Sequence, residues 1–242
     1  MKLGTDSLVM DEIKDMVIAD LALAVAFSFI FTGGIGNFNL LSFIEFFPIA
    51  IVAVSLSFIL HEYMHKLVAQ HFGATAAFRK SDTGLLITLV SGAFGFLIGL
   101  PGATMIYTNR FTSKEDGYVS LAGPLTNFVV FLVFFAAFAL AYRTSPSGIL
   151  FSAHPQPYTY IELMMAITLF ISAWLAYFNM LPVYPLDGSK VFRWNKGVYA
   201  VTMAVIFIFL YSIVGPSLLA ETVILFIMAL LFSFMFNSIR LF

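Results

Sequence analysis

The 242-residue chain has no cysteine, two tryptophans, four histidines and few charges: Asp, Glu, Lys and Arg together make up 10% of it. Each scarcity excludes something. Without cysteine there are no disulfides and no thiolate ligands, so any zinc site must be built from histidine and carboxylate. A net charge of −1 leaves no basic surface for nucleic acid. The N-terminal stretch Met1–Met16 is polar and mixed in charge, and it reads as something other than a signal peptide. What is abundant is apolar. Hydrophobic residues make up 61% of the chain and mean hydropathy is +0.97, where ordinary soluble domains are about half apolar and about a quarter charged. The 29 phenylalanines read as lipid-facing and core packing.

This composition predicts an all-α polytopic membrane protein, a single domain over 1–242 with its core at 43–190. A helix needs about 20 apolar residues to cross the hydrocarbon. Six stretches qualify: 14–33, 43–71, 117–142, 158–181, 197–214 and 217–240. A seventh apolar run, 84–100, carries Gly84, Gly92, Gly95 and Gly99 before Pro101 and Gly102. Gly95 and Gly99 fit a small-xxx-small packing pattern, which reads as a transmembrane helix. The other reading is a re-entrant or strand-like segment near 84–107, covered by the bundle. Charge favours the second. With six spans and the N-terminus inside, eleven of the twelve Lys and Arg residues face inward and only Arg143 faces out. A seventh span would turn Arg110, Lys114, Lys190, Arg193 and Lys196 outward.

At the end of the second apolar stretch stands His61-Glu62-Tyr63-Met64-His65. Residues i and i+4 share a helix face, so both imidazoles can turn toward one zinc ion. Glu62 flanks the same space and can take a proton from water held there. Ionisable groups in membrane segments are costly, which makes a functional reading the default. The bland alternative is a polar helix end among lipid headgroups. Lys66, Gln70 and His71 suggest access from the inner side, with His71 an interfacial residue rather than a ligand. Glu162 suits a helix N-terminus, and Glu45 falls at the outer interface, too far along its helix to share the metal. Asp20, inside the first apolar stretch, has no partner that the sequence can name.

A catalytic zinc site usually takes three protein ligands and a water. The best third ligand is Asp187, in Asn179-Met-Leu-Pro182-Val-Tyr-Pro185-Leu-Asp187-Gly188. Pro182 and Pro185 break the helix, and Gly188 permits a sharp turn. Asp before Gly is also an ordinary turn signal. In the six-span topology, 43–71 and 158–181 both end on the inner side, so Asp187 can reach His61 and His65. In the seven-span topology it could not.

Together, His-Glu-x-x-His and Asn-x-x-Pro…Asp-Gly on membrane helices resemble the site-2 protease family of intramembrane zinc metalloproteases. Ala122-Gly123-Pro124-Leu125-Thr126-Asn127, opening the 117–142 helix, is similar to that family's Gly-Pro element. The resemblance spans residues 61–188. It implies one zinc per chain held by His61, His65 and Asp187, with Glu62 as general base and Asn179 as a donor to the oxyanion. Asn179 is equally at home as a helix C-cap. The six-span topology and the polar neighbours of the motif further imply a multi-pass protein of the cell membrane with its site open to the cytoplasmic side. Its partners would be the lipid bilayer and transmembrane protein substrates, cut in regulated intramembrane proteolysis. The 84–105 segment is longer and more apolar than the family pattern, and Leu100–Tyr107 could pair with an unwound substrate by strand addition. Two rivals differ in class. A non-catalytic membrane-protein binder with a vestigial zinc site would not need Glu62. A metal transporter would be expected to show paired repeats and broken helices in both halves, and the sequence has no internal repeat.

Overall fold

The computed structural model describes residues 3–108, 111–142 and 159–239. Lys2, Arg110, Arg143 and Arg240, which enter the charge argument, lie outside the described residues. The described chain falls into two compact units, one up to Tyr107 and one from Thr108 onward.

The first unit begins with α1, Leu3–Phe31. Next comes α2, Leu40–Val54, capped where the Asn39 side chain accepts from the Ser42 amide at 3.1 Å. It runs through a wide π turn, Ser55–Ile59, into α3, Leu60–His71, making one helical stretch of 32 residues. Two strands and a short helix complete the unit: β1, Thr75–Lys80, α4, Asp82–Ala93, and β2, Gly102–Tyr107. The strands pair antiparallel, with Phe78 opposite Thr104. At the end of β1, Lys80 donates to the Asp82 carboxylate, which holds the Lys80 ammonium above the ordinary lysine range.

Residues 84–100 are therefore no membrane-length helix. The 12 residues of α4 rise about 18 Å, and the chain then returns along the helix as irregular backbone. That return is stitched to α4 by hydroxyls. Thr88 Oγ1 donates to the Ile98 carbonyl at 3.1 Å and accepts from the Leu100 amide at 3.0 Å, and Ser91 Oγ accepts from the Ile98 amide at 3.0 Å. Irregular backbone in an apolar setting needs such internal partners. Gly84 is required here, because a Cβ would collide with the Leu100 carbonyl. The expected strand is present at 102–107. Its partner β1 was not expected, and it departs from an all-α fold.

The second unit is helical: α5, Ser113–Tyr142, α6, Tyr160–Asn179, α7, Asp187–Trp194, α8, Lys196–Val214, and α9, Ser217–Ile239. Thr159 and Asn195 cap α6 and α8 by accepting amide hydrogen bonds in the first turn. A core of Phe131, Phe138, Leu169, Tyr177, Ile206 and Leu210 joins α5, α6 and α8. The Tyr177 and Thr222 hydroxyls, 2.9 Å apart, link α6 to α9. The Gly-Pro element does not open α5. Pro124 lies inside a helix that starts at Ser113.

Helices occupy all six expected stretches. Among the described residues, four of them are long and apolar enough to cross a membrane: Leu40–His71, Ser113–Leu140, Tyr160–Asn179 and Lys196–Val214. The apolar part of α1 is interrupted by Lys14, Asp15 and Asp20.

Candidate metal and catalytic site

In the first unit the helical period places His61 and His65 one turn apart. Their Nε2 atoms approach to 2.9 Å, and the rings stand edge to face at 82°. His61, Glu62 and His65 are all buried. Two converging ring nitrogens shielded from water are a donor set that suits zinc.

Glu62 is held by β2. Its Oε2 accepts from the Thr104 amide at 2.8 Å, and its backbone carbonyl accepts from Thr104 Oγ1 at 3.0 Å. Lys66, one residue past the motif, does not simply line a water entrance. Its Nζ lies 2.7 Å from a carboxylate oxygen of the buried Glu12 on α1, and Glu12 Oε1 also accepts from the Phe78 amide at 3.2 Å. A partly buried ammonium must be compensated in this way. Asp15 adds a looser pair to Arg79 at 3.6 Å. His71 and Gln70 are exposed at the end of α3.

Asp20 has a partner after all. Its Oδ2 accepts from Ser55 Oγ at 2.7 Å, at the first residue of the π turn that leads into the motif. Such π turns recur at functional sites. Three contacts thus escaped sequence reasoning, those of Glu12, Asp20 and Thr104. Only Asp20 carried a signal, as an acid inside an apolar helix.

In the second unit, Asn179 is the last residue of α6, and its Nδ2 donates to the Leu175 carbonyl at 3.0 Å. The C-cap position expected for Asn179 falls instead on Met180, and the Asn179 bond is a contact four residues back within the last turn. The segment after it is anchored by buried Met180, Leu181, Val183 and Leu186. Asp187 then opens α7, where the positive end of the helix dipole favours a carboxylate. Gly188 is a correction: it forms no turn but is the second residue of α7. It is needed because a Cβ there would collide with the carbonyls of Met180 and Leu181. The far end of α7 is held to α5, where Asp116 faces Lys190 at 4.0 Å and Arg193 at 3.7 Å.

A buried His-Glu-x-x-His on an apolar, membrane-length helix defines a zinc metalloprotease carried by a membrane protein. The model of peptidase family M50 matches residues 49–197, more than half of the chain and both motifs, and the chain belongs to that family. The resemblance to site-2 proteases is thereby borne out. A relative from Methanocaldococcus jannaschii, provisionally named a zinc metalloprotease, is 37% identical over 191 residues, 78% of this chain and 87% of its own. A second, from Bacillus subtilis and also provisionally so named, is 26% identical over 159 residues, 60% of this chain and 67% of its own. No solved structure gives a significant match.

Proposed function

We propose that this metalloprotease works inside the membrane, cutting peptide bonds within or near transmembrane segments of other membrane proteins. One observation carries the reading: the buried motif lies within a continuous 32-residue helical stretch, Leu40–His71, whose apolar length suffices to cross the bilayer. A protease of soluble substrates would gain nothing from burying its base and ligands there.

His61 and His65 would hold zinc through their ring nitrogens, with the Asp187 carboxylate as third ligand. Two imidazoles and one carboxylate match the donor sets of catalytic zinc. When bound, zinc supplies a Lewis acid that polarises the scissile carbonyl and lowers the pKa of water toward neutrality. Glu62 accepts the proton of the attacking water and passes it to the leaving nitrogen. The Asn179 amide has two N–H groups. One is spent on Leu175, and the second is assigned to the oxyanion. Beyond Thr104, whose amide is taken by Glu62, the edge of β2 offers an unwound substrate a backbone to pair with.

The inward bias of Lys and Arg supports six spans in the cell membrane, with 82–107 folding back on the cytoplasmic side where the site opens. Single cysteines at Thr108 and Gly197 should then both label from that side, and labelling from opposite sides would sink the topology. Since the ligands are divided between the two motifs, the chain acts as one protease domain with its core at 43–190.

Zinc content of the purified, detergent-solubilised protein tests the site. The expected result is one zinc per chain, lost in both His61→Ala and Asp187→Ala. Zinc indifferent to Asp187 would remove it as the third ligand.

A further inference from the structure

Phe78 and Thr104 are register partners on β1 and β2, yet each amide donates to a group outside the sheet. Both point out of the sheet, and each meets a carboxylate: Phe78 the Glu12 side chain at 3.2 Å, Thr104 the Glu62 side chain at 2.8 Å. This is the non-hydrogen-bonded pair of an antiparallel ladder, whose N–H groups face away from the partner strand. The two-stranded sheet is thus gripped at one edge by α1 and at the other by α3.

The α3 edge carries a second bond, from Thr104 Oγ1 to the Glu62 carbonyl at 3.0 Å. A helical carbonyl has a second lone pair beyond the one used within the helix, and a hydroxyl can take it. One residue of β2 therefore holds Glu62 at both ends, carboxylate and backbone. The amide fixes Oε2 and leaves Oε1 for other partners. The hydroxyl fixes the turn of α3 that carries the side chain. Rotating α3 about its axis would stretch both bonds together.

We propose that Thr104 is a positioning residue for the general base through its hydroxyl: the bond to the Glu62 carbonyl locks the azimuth of the motif helix against β2, so that the carboxylate stays seated on the Thr104 amide, which any side chain leaves in place. The inference rests on the reading of Glu62 as base. A loosely held glutamate has three side-chain torsions to order before it can meet water, and small misplacements at a reacting group are expensive in rate. No sequence motif marks Thr104, since its role comes from strand register.

The test uses the full-length, zinc-loaded protein in detergent. The probe is a quenched fluorescent peptide carrying an apolar segment of about 20 residues, rich in β-branched side chains. Thr104→Val keeps the shape and removes the hydroxyl. Thr104→Ser keeps the hydroxyl and removes the methyl. Positioning predicts that the serine variant stays within about twofold of wild type, while kcat of the valine variant falls about 10- to 100-fold at unchanged KM and zinc content. A packing role predicts the reverse order. A valine variant with wild-type kcat, or one slow only because zinc or melting temperature is lost, overturns the proposal. Glu62→Gln is run beside them. If it cleaves the probe, the assignment of the base falls and the proposal with it. If it is inactive while Thr104→Val is unimpaired, Thr104 alone has been misread.

Discussion

The two units hold their chemistry in opposite ways. In the first, the polar groups around the motif are gripped by elements far away in sequence: Glu62 by Thr104 on β2, Lys66 by Glu12 on α1, Ser55 by Asp20 on α1. In the second, the contacts described at Asn179 and Asp187 are local, although α7 as a whole is tied to α5 through Asp116. Asn179 bonds its own helix four residues back, and Asp187 is placed by a short segment of buried side chains and by the helix it opens. Tertiary clamps fix a charge in space where burial would otherwise expel it. Local geometry suffices at a helix end, where the backbone supplies the polar partners.

Substituting the proposed catalytic residue of each unit measures what that difference is worth. The largest effect is expected in the first. Glu62→Gln keeps the size of the side chain and an acceptor for Thr104, and it removes the proton acceptor. Cleavage of a transmembrane probe should fall about 10²- to 10⁴-fold with zinc retained. Normal cleavage by this variant would break the mechanism. In the second unit, Asn179→Ala should lower kcat about 10²- to 10³-fold if the amide meets the oxyanion. If it serves only the helix end, kcat should hold and melting temperature should drop slightly. That single split decides whether the second unit contributes to chemistry beyond the proposed ligand Asp187.

The same contrast explains what was legible in the sequence. His61, Glu62 and His65 could be read directly, because helical spacing alone brings i and i+4 together. The Asp187 region could be read because two prolines and a glycine punctuate it, although Gly188 proved to serve close packing and not a turn. Helix positions followed from apolar length. Strand β1, Thr-Ala-Ala-Phe-Arg-Lys, could not be read: it is short, weakly alternating, and defined by pairing with residues 102–107. The contacts of Glu12, Asp20 and Thr104 were hidden for the same reason, since a clamp between distant elements leaves no local pattern.

A smaller effect separates the clamps from one another. Glu12→Gln keeps an acceptor for the Phe78 amide and removes the charge facing Lys66. Leaving a half-buried ammonium without its counter-charge should cost about 2 kcal/mol, read as a lower melting temperature. An unchanged melting temperature would make the pair incidental and would leave the Phe78 amide bond and the Asp15–Arg79 pair to hold β1 against α1.

The smallest effect is expected at Asp20, and its sign is informative. Unlike Glu12 and Glu62, Asp20 accepts no backbone amide among the described residues. It meets one hydroxyl through Oδ2, and its buried Oδ1 has no partner among the described residues. A buried polar atom without a partner is a cost, and a carboxylate carries more of it than an amide. Asparagine would still offer Ser55 a partner at the π turn, so Asp20→Asn should leave stability unchanged or raise it by up to about 1 kcal/mol. Asp20→Ala should do worse than Asn, because the Ser55 hydroxyl must then turn back to its own helix. If melting temperatures instead rank the asparagine variant clearly below wild type, the charge itself is in use at the turn leading into His61. Asp20 would then join Glu12 and Glu62 as a clamp on the motif helix.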